Sequence, residues 1–302
     1  MNLANDSYKR SGYEEISLCG LSVSDYSLMD KLLPSLIDLF RPLGVAVSLP
    51  SLKAKALVGN LSSLIATIKK TGLTFAPESG SENLRKILGK DFDEQEFFKA
   101  MEEAFAAGYQ HVKLYFMIGI PYETEEDLDS IIDFALRASG LRKKVAKSAA
   151  QVNISINSLI PKPHTPFQWL AMEDAQSLKK KQDYLREKAK KYRRLKLNFH
   201  NRNMSFLEAV LSRGDRKLSR VILNAFRKGA RFDAWSDHFN IEKWLEAFKE
   251  ENIEPDFYLR DKPVDEFLPW DFIDVGISKE ILRDEFNKSI ANRENGMYNL
   301  AL

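Results

Sequence analysis

The chain has 302 residues, of which 44% are hydrophobic and 29% charged, which suits a globular protein with one large barrel or a barrel with an appendage. Its 45 basic and 43 acidic residues leave a net charge of +2, so no overall field argues for nucleic acid as a partner. The single cysteine excludes an internal disulfide framework. We find neither a signal core nor an apolar run near the roughly 20 residues that span a bilayer, so we expect a cytoplasmic protein with no membrane partner.

Six stretches alternate apolar and polar residues with the period of a β-strand, and helical spacing of apolar residues separates them. The predicted strands are 15–22, 45–49, 73–76, 111–118, 152–157 and 195–200. The predicted helices include 28–40, which Pro34 should start or kink, then 57–68, 84–105, 128–136 and a Lys/Arg-rich helix over 173–192. Residues 1–12 are predicted as a ragged polar lead-in. This order predicts parallel strands joined by right-handed crossovers.

One face of the predicted sheet is aliphatic and the other is polar, although a parallel sheet buried on both faces should be apolar throughout. The polar face carries Ser17, Cys19, Ser48, Thr74, Lys113, Tyr115, Asn153, Ser155 and Asn157. So many polar side chains predict a wet or ligand-filled interior. The fold class is therefore α/β, with a partial, open parallel β/α barrel.

From residue 204 onward short helices replace the strand–helix alternation. We predict two parts, a partial barrel over 1–203 and a mainly helical C-terminal extension over 204–302.

Two motifs, one after the other along the chain, resemble those of a known family. APESGSENLRKILGK and FMIGIPYETEEDL resemble the fourth and fifth strand regions of radical S-adenosylmethionine (SAM) proteins. The closest resemblance is to the group attached to a cobalamin-binding domain. It continues through INSLIPKPHTPFQW, KLNFH, FLEAVLSRGDR, GARFDAWSDHF and LPWDFIDVGISKEIL, and so covers nearly the whole chain.

The resemblance implies SAM, a [4Fe–4S] cluster and cobalamin as cofactors, and reductive cleavage of SAM to a 5′-deoxyadenosyl radical that abstracts hydrogen from a substrate. Such clusters need cysteine thiolates, usually in a CxxxCxxC loop, and this chain has only Cys19. We expect Cys19 to be a small core residue. We further expect the first strand and the cluster loop to lie on a missing upstream segment or a separate chain.

Site residues follow from the resemblance by position. Expected SAM contacts are Ser48, Glu78, Ser79, Gly80, Arg85, Lys90, Tyr115, Met117 and Gly119. Expected substrate contacts are Lys113, Asn153, Ser155, Asn157, His164 and His200. Glu78 can alternatively cap the following helix, Arg85 and Lys90 can be solvated charges, and Lys113 either pairs with Glu78 or binds substrate.

Other interpretations stay open at this point. The chain can be the core of an enzyme, a cluster-free protein that binds SAM or a nucleoside, or an inert truncated paralogue. A metal-dependent hydrolase would use the histidines, although no HxH or HExxH spacing is present. The substrate is a small molecule or RNA, and the basic helix, with interleaved Tyr184 and Tyr192, can contact RNA or simply face solvent.

Overall fold

A computed structural model describes residues 1–19, 26–48, 73–106 and 108–298. Within these ranges the strands are β1 (Glu15–Ser17), β2 (Ala46–Ser48), β3 (Leu73–Glu78), β4 (His111–Ile118), β5 (Gln151–Ser158) and β6 (Leu195–Phe199). β1 pairs with β2, and the other four form a sheet in the order β3-β4-β5-β6. All pairings are parallel. The predicted fold class is confirmed, and no closed barrel is formed by the described strands.

The two faces of the sheet differ in polarity because successive side chains of a strand point to opposite faces. In β4, alternate residues from Val112 to Ile118 are fully buried, while Lys113, Tyr115 and Met117 are half-exposed. β5 repeats the pattern, with its aliphatic residues and Ser158 buried and the side chains of Asn153, Ser155 and Asn157 on the opposite side. The predicted division into an aliphatic face and a polar face therefore holds in the observed sheet.

Eleven α-helices are present in the described residues. They are α1 (Asn2–Ser11), α2 (Met29–Phe40), α3 (Glu82–Ile87), α4 (Glu94–Ala106), α5 (Glu125–Leu141), α6 (Ala175–Ala189), α7 (Arg202–Arg213), α8 (Leu218–Arg227), α9 (Ile241–Glu250), α10 (Asp256–Leu259) and α11 (Lys279–Tyr298). The helix expected over 57–68 lies outside the described residues. Helices α2, α4, α5 and α6 bury their apolar faces in one core with the aliphatic side of the sheet.

Aromatic rings fill the centre of this core. Phe134 of α5 packs against Phe98 and Phe97 of α4, with ring centroids 4.8 and 5.4 Å apart. Phe116 of β4 meets Phe134 edge-on at 5.8 Å. These geometries are the tilted and edge-to-face arrangements that aromatic pairs prefer. The packing fixes α4 and α5 against the strands whose carboxyl ends carry the candidate site.

Two local expectations were wrong. Residues 2–11 are helical rather than ragged, and Gly12 ends that helix in the left-handed conformation. Cys19 is exposed, not a core residue. Pro34 lies inside α2, which begins at Met29 and continues to Phe40, so the helix does not start at this proline.

From α7 to α11 the regular elements of the described residues are helices. Helices α7 to α9 have a separate core that includes Val210, Val221 and Phe248. The exact division at 203/204 stays a prediction. None of the helices in the described ranges has both the length and the hydrophobicity needed to cross a membrane.

Buried Arg213 attaches the extension to the barrel. Its guanidinium donates to the carbonyls of Pro161, Tyr258 and Arg260, at 2.9 to 3.1 Å. Because Pro161 lies in the loop that follows β5, this residue connects that loop to the segment after α10.

Gly80 marks a close approach between the turn after β3 and helix α5. A Cβ built on Gly80 would lie 2.3 Å from the carbonyl carbon and oxygen of Ser130. We therefore expect Gly80→Ala to lower the free energy of unfolding by about 1–3 kcal/mol through overpacking. Denaturant titration measures the loss.

Gly140→Ala is the matched control, because a Cβ on Gly140, also in α5, would meet nothing within 4 Å. There the helix should gain about 0.5–1 kcal/mol. Equal effects at the two positions would contradict the close approach.

Candidate functional site

The polar face of the sheet brings together six of the predicted site residues. Their register pairs are Lys113 with Asn153, Tyr115 with Ser155, and Met117 with Asn157. The Lys113 ammonium lies 4.6 Å from the centre of the Tyr115 ring, so it forms a cation–π contact. The side chains of Asn153, Ser155 and Asn157 make no hydrogen bond within the described part of the chain. Neighbouring amide and hydroxyl groups are thus free to bind a polar ligand.

Glu78 ends β3 in an unusual backbone conformation. Its φ is 66°, in the left-handed region that costs energy for a residue other than glycine, and a register irregularity separates it from Phe75. The carboxylate is 18% exposed, and its Oε1 lies 3.8 Å from the Lys90 Nζ. Burial raises the pKa of Glu78 above its ordinary value, and the Lys90 ammonium opposes that rise. The ion pair of Glu78 is thus with Lys90, and Lys113 contacts Tyr115 instead.

The turn after Glu78 is held by its own side chains. Ser79 is buried, and its Oγ accepts a hydrogen bond from the Ser81 N–H at 3.1 Å. Ser81 caps α3 by accepting a hydrogen bond from the Leu84 N–H. Gly80 is needed here because α5 approaches so closely.

Arg85 is fully buried beneath this turn. Its Nη1 donates to the carbonyls of Ser79 and Gly80, at 3.2 and 3.0 Å, and its Nη2 bonds Glu94 at 2.8 Å. A direct contact between Arg85 and SAM stays a prediction. In this structure the side chain holds the turn in place.

A second group of charges holds the turn after β4, and the sequence analysis missed it. Gly119, with φ of 79°, donates its N–H to Glu123 Oε2 at 2.9 Å. Lys181 of α6 lies 2.8 Å from that same oxygen and 2.7 Å from Glu173. A Cβ on Gly119 would meet the Glu173 carboxylate at 2.9 Å, so that carboxylate already occupies the space beside the glycine.

The Glu123 side chain is only 1% exposed. Burial raises the pKa of Glu123 to about 7, while Lys181 and the Gly119 N–H act in the opposite direction. Pairing with Glu123 and Glu173 raises the pKa of Lys181, although burial opposes that rise. The only sequence signal was the position of Glu123 directly after the GIPY turn, since nothing local indicates Lys181 or Glu173.

The two predicted histidines lie beyond the carboxyl ends of β5 and β6. His164 has φ of 54°, its N–H donates to Gln168, and its Nε2 is buried with no hydrogen-bond partner in the described residues. His200 Nδ1 lies 2.9 Å from Ser205 Oγ. No three His, Cys, Asp or Glu side chains in the described ranges are arranged to hold a metal ion.

Ser48 and the basic helix complete the predicted set. Ser48 ends β2 opposite Ser17 in the small sheet, and its side chain is outside the described part. Several basic side chains of α6 have carboxylate partners, such as Lys188 with Asp129 at 2.9 Å and Arg186 with Asp183 at 2.7 Å. RNA contact through this helix stays a prediction.

Comparisons with known proteins give one family match and two similar proteins. Residues 4–135 match the profile of the Radical SAM superfamily. Over 253 residues the chain is 35% identical to the uncharacterized protein MJ0966 of Methanocaldococcus jannaschii. This alignment covers 84% of this chain and 53% of that protein. The chain thus spans about half the length of that relative. Among solved structures it is similar to SuiB of Streptococcus suis, with a TM-score of 0.42 and 11% identity over 69% of this chain and 44% of that one.

The residues that match the Radical SAM superfamily profile contain β1 to β4 and most of α5. Membership of this superfamily implies SAM and a [4Fe–4S] cluster as cofactors. The polar face fits SAM, because it offers a half-buried carboxylate and free hydroxyl and amide groups. The chain does not fit the cluster, because its single cysteine cannot supply the thiolate ligands.

Glu123→Gln tests the buried charge group through pH. Because the pKa of Glu123 rises from its ordinary 4.5 to about 7 on folding, the folded chain holds this proton more tightly between those pH values. Stability contributed by that proton is present below pH 4.5 and lost as pH rises through 7. We expect the unfolding free energy of the wild type, relative to Glu123→Gln, to fall by about 3 kcal/mol across this window.

Denaturant titrations at pH 4.5, 5.5, 6.5 and 7.5 give this difference. Glu125→Gln, in the exposed first turn of α5, is the control. A difference that stayed flat or rose with pH would show that Glu123 is not a buried group with a raised pKa.

Proposed function

We propose that this chain supplies the SAM- and substrate-binding face of a radical SAM enzyme whose cluster-binding cysteines lie outside these 302 residues. The observation behind this proposal is the polar face of the sheet β3 to β6, together with Glu78 at the carboxyl end of β3. The superfamily match supports the class of chemistry, and the single cysteine supports the external source of the cluster ligands.

Each part of the site has a proposed task. The Glu78 carboxylate accepts hydrogen bonds from the ribose hydroxyls or the amino group of SAM, and Lys90 keeps it oriented. Met117 and the turn at Gly119 contact the rest of the cofactor. Ser48, Ser79, Gly80, Arg85 and Tyr115 complete the proposed SAM site, with Arg85 acting through the turn.

The substrate is proposed to bind beside SAM on the same face. Lys113 and Asn153 lie in one row and Ser155 in the next, so they present a cation, an amide and a hydroxyl to one ligand. Asn157, His164 and His200 follow toward the carboxyl ends of the strands. In this superfamily, bound SAM is the source of a 5′-deoxyadenosyl radical. The link to a cobalamin-binding domain rests on sequence resemblance alone.

A second candidate is a cluster-free protein that binds SAM or a nucleoside without cleaving it. The single cysteine also favours this candidate, because Cys19 alone, which is exposed, cannot hold a [4Fe–4S] cluster. The two candidates share the polar face and differ in whether a partner segment completes the cluster.

Glu78→Gln tests the SAM site. The substitution keeps the size of the side chain but removes its charge, and a charge-assisted hydrogen bond contributes about 1.5–3 kcal/mol. We expect SAM affinity to fall by about 10- to 100-fold in isothermal titration calorimetry.

Glu82→Gln is the control, since Glu82 lies four residues further along and pairs with Lys86 in solvent. Its affinity should equal that of the wild type. Unchanged affinity in Glu78→Gln would remove Glu78 from the site.

Anaerobic reconstitution with iron and sulfide tests the source of the cluster. Because three thiolates are needed and one is present, we expect iron and sulfide well below four per chain and no cleavage of SAM by dithionite. Stoichiometric [4Fe–4S] absorbance on this chain alone would contradict the proposal. Cleavage that appears only after a cysteine-bearing partner segment is added would favour the enzyme over the binding protein.

A further inference from the structure

A cleft of about 230 Å³ lies between α3, the loop after β5 and α11. Its walls are mainly apolar and come from Ile87, Leu88, Leu159, Ile160, Pro166 and Phe167. The polar residues on its lining bond to other protein groups. Lys162 pairs with Glu208, and Thr165 Oγ1 donates to the Lys162 carbonyl at 2.7 Å. The cleft therefore offers an apolar surface to an occupant rather than free hydrogen-bonding groups.

The cleft adjoins the polar face at three points. Met117, on that face, and Phe167 of the cleft wall both pack against the apolar cluster that contains Ile87, another residue of the wall. The Leu159 N–H donates to the Ile118 carbonyl at 2.8 Å, directly before the turn at Gly119. On the third side, the wall residue Gly89 precedes Lys90, the partner of Glu78.

Helix α11 of the C-terminal extension forms the outer wall through Glu285 and Ser289. Ser289 Oγ donates to the Glu285 carbonyl at 3.0 Å, and the Glu285 carboxylate pairs with Lys288. Phe286, on the same helix, packs against Trp169 at 5.4 Å, which holds α11 against the loop. The shape of the cleft therefore depends on the position of α11 as well as on α3 and the loop after β5.

We propose that this cleft binds the nonpolar group of the substrate, an aromatic ring system or a branched aliphatic group, and places it beside the polar face. A cavity of about 150 Å³ holds benzene, so the cleft suits a somewhat larger group such as a fused pair of rings. This inference rests on the proposed function and adds the substrate's class. The polar part of the same substrate then lies on the row of Lys113, Asn153 and Ser155.

Indole is the probe, and the methyl group of Met117 is the reporter. The chain has seven methionines, so selective ¹³C-methyl labelling gives a simple spectrum, and Met117→Leu assigns the signal. Indole should shift the Met117 resonance saturably in the wild type. Ser289→Phe should fill the cleft from α11 and weaken the apparent affinity at least tenfold.

Asn287→Phe is the matched control, because Asn287 is exposed on the same helix and does not line the cleft. It should leave indole binding unchanged. Leu88→Ala should enlarge the cleft and improve the binding of naphthalene relative to indole. This second variant tests the cleft even if thermal melting shows that Ser289→Phe does not fold.

SAM titration of each variant separates the two proposals. Intact SAM binding with no indole-dependent shift, or with equal indole affinity in Ser289→Phe and Asn287→Phe, would overturn the cleft proposal alone. If the wild-type chain does not bind SAM, the proposed function is overturned, whether or not indole binds in the cleft.

Discussion

The buried guanidinium of Arg85 is the interaction on which the geometry of the candidate site depends. It binds two carbonyls of the turn after β3 and the carboxylate of Glu94, which also bonds Arg137 of α5 at 2.7 Å. A buried charge costs free energy unless its partners are well placed, and removing one partner costs about 3–5 kcal/mol. The turn that presents Glu78 is therefore fixed to two helices at once.

The turn after β4 is stabilised on the same principle by a different group of charges. Lys181 and Glu173 come from the chain beyond β5, yet they meet Glu123 at the end of β4. The turns after β3 and β4 are thus held by charged side chains from neighbouring helices, Arg85 of α3 and Lys181 of α6. Beside these turns the polar face keeps the free side chains of β5, as expected where a rigid scaffold positions a binding site.

The strands and the polar face were predictable because they depend on a local period of two. The strand over 111–118 has the predicted bounds. The pairing of Lys181 with Glu123 spans 58 residues, so no local pattern reveals it. The alternative that Arg85 is a solvated charge is wrong, because its side chain is fully buried. Sequence spacing does not show that a side chain turns inward.

Hydrogen–deuterium exchange with and without SAM tests the central claim, that the turns after β3 and β4 bind the cofactor. We predict that SAM slows exchange in peptides covering 78–81 and 117–123, with little change in α8 and α9. Slowed exchange confined to the C-terminal extension, or no change despite saturating SAM, would contradict this account.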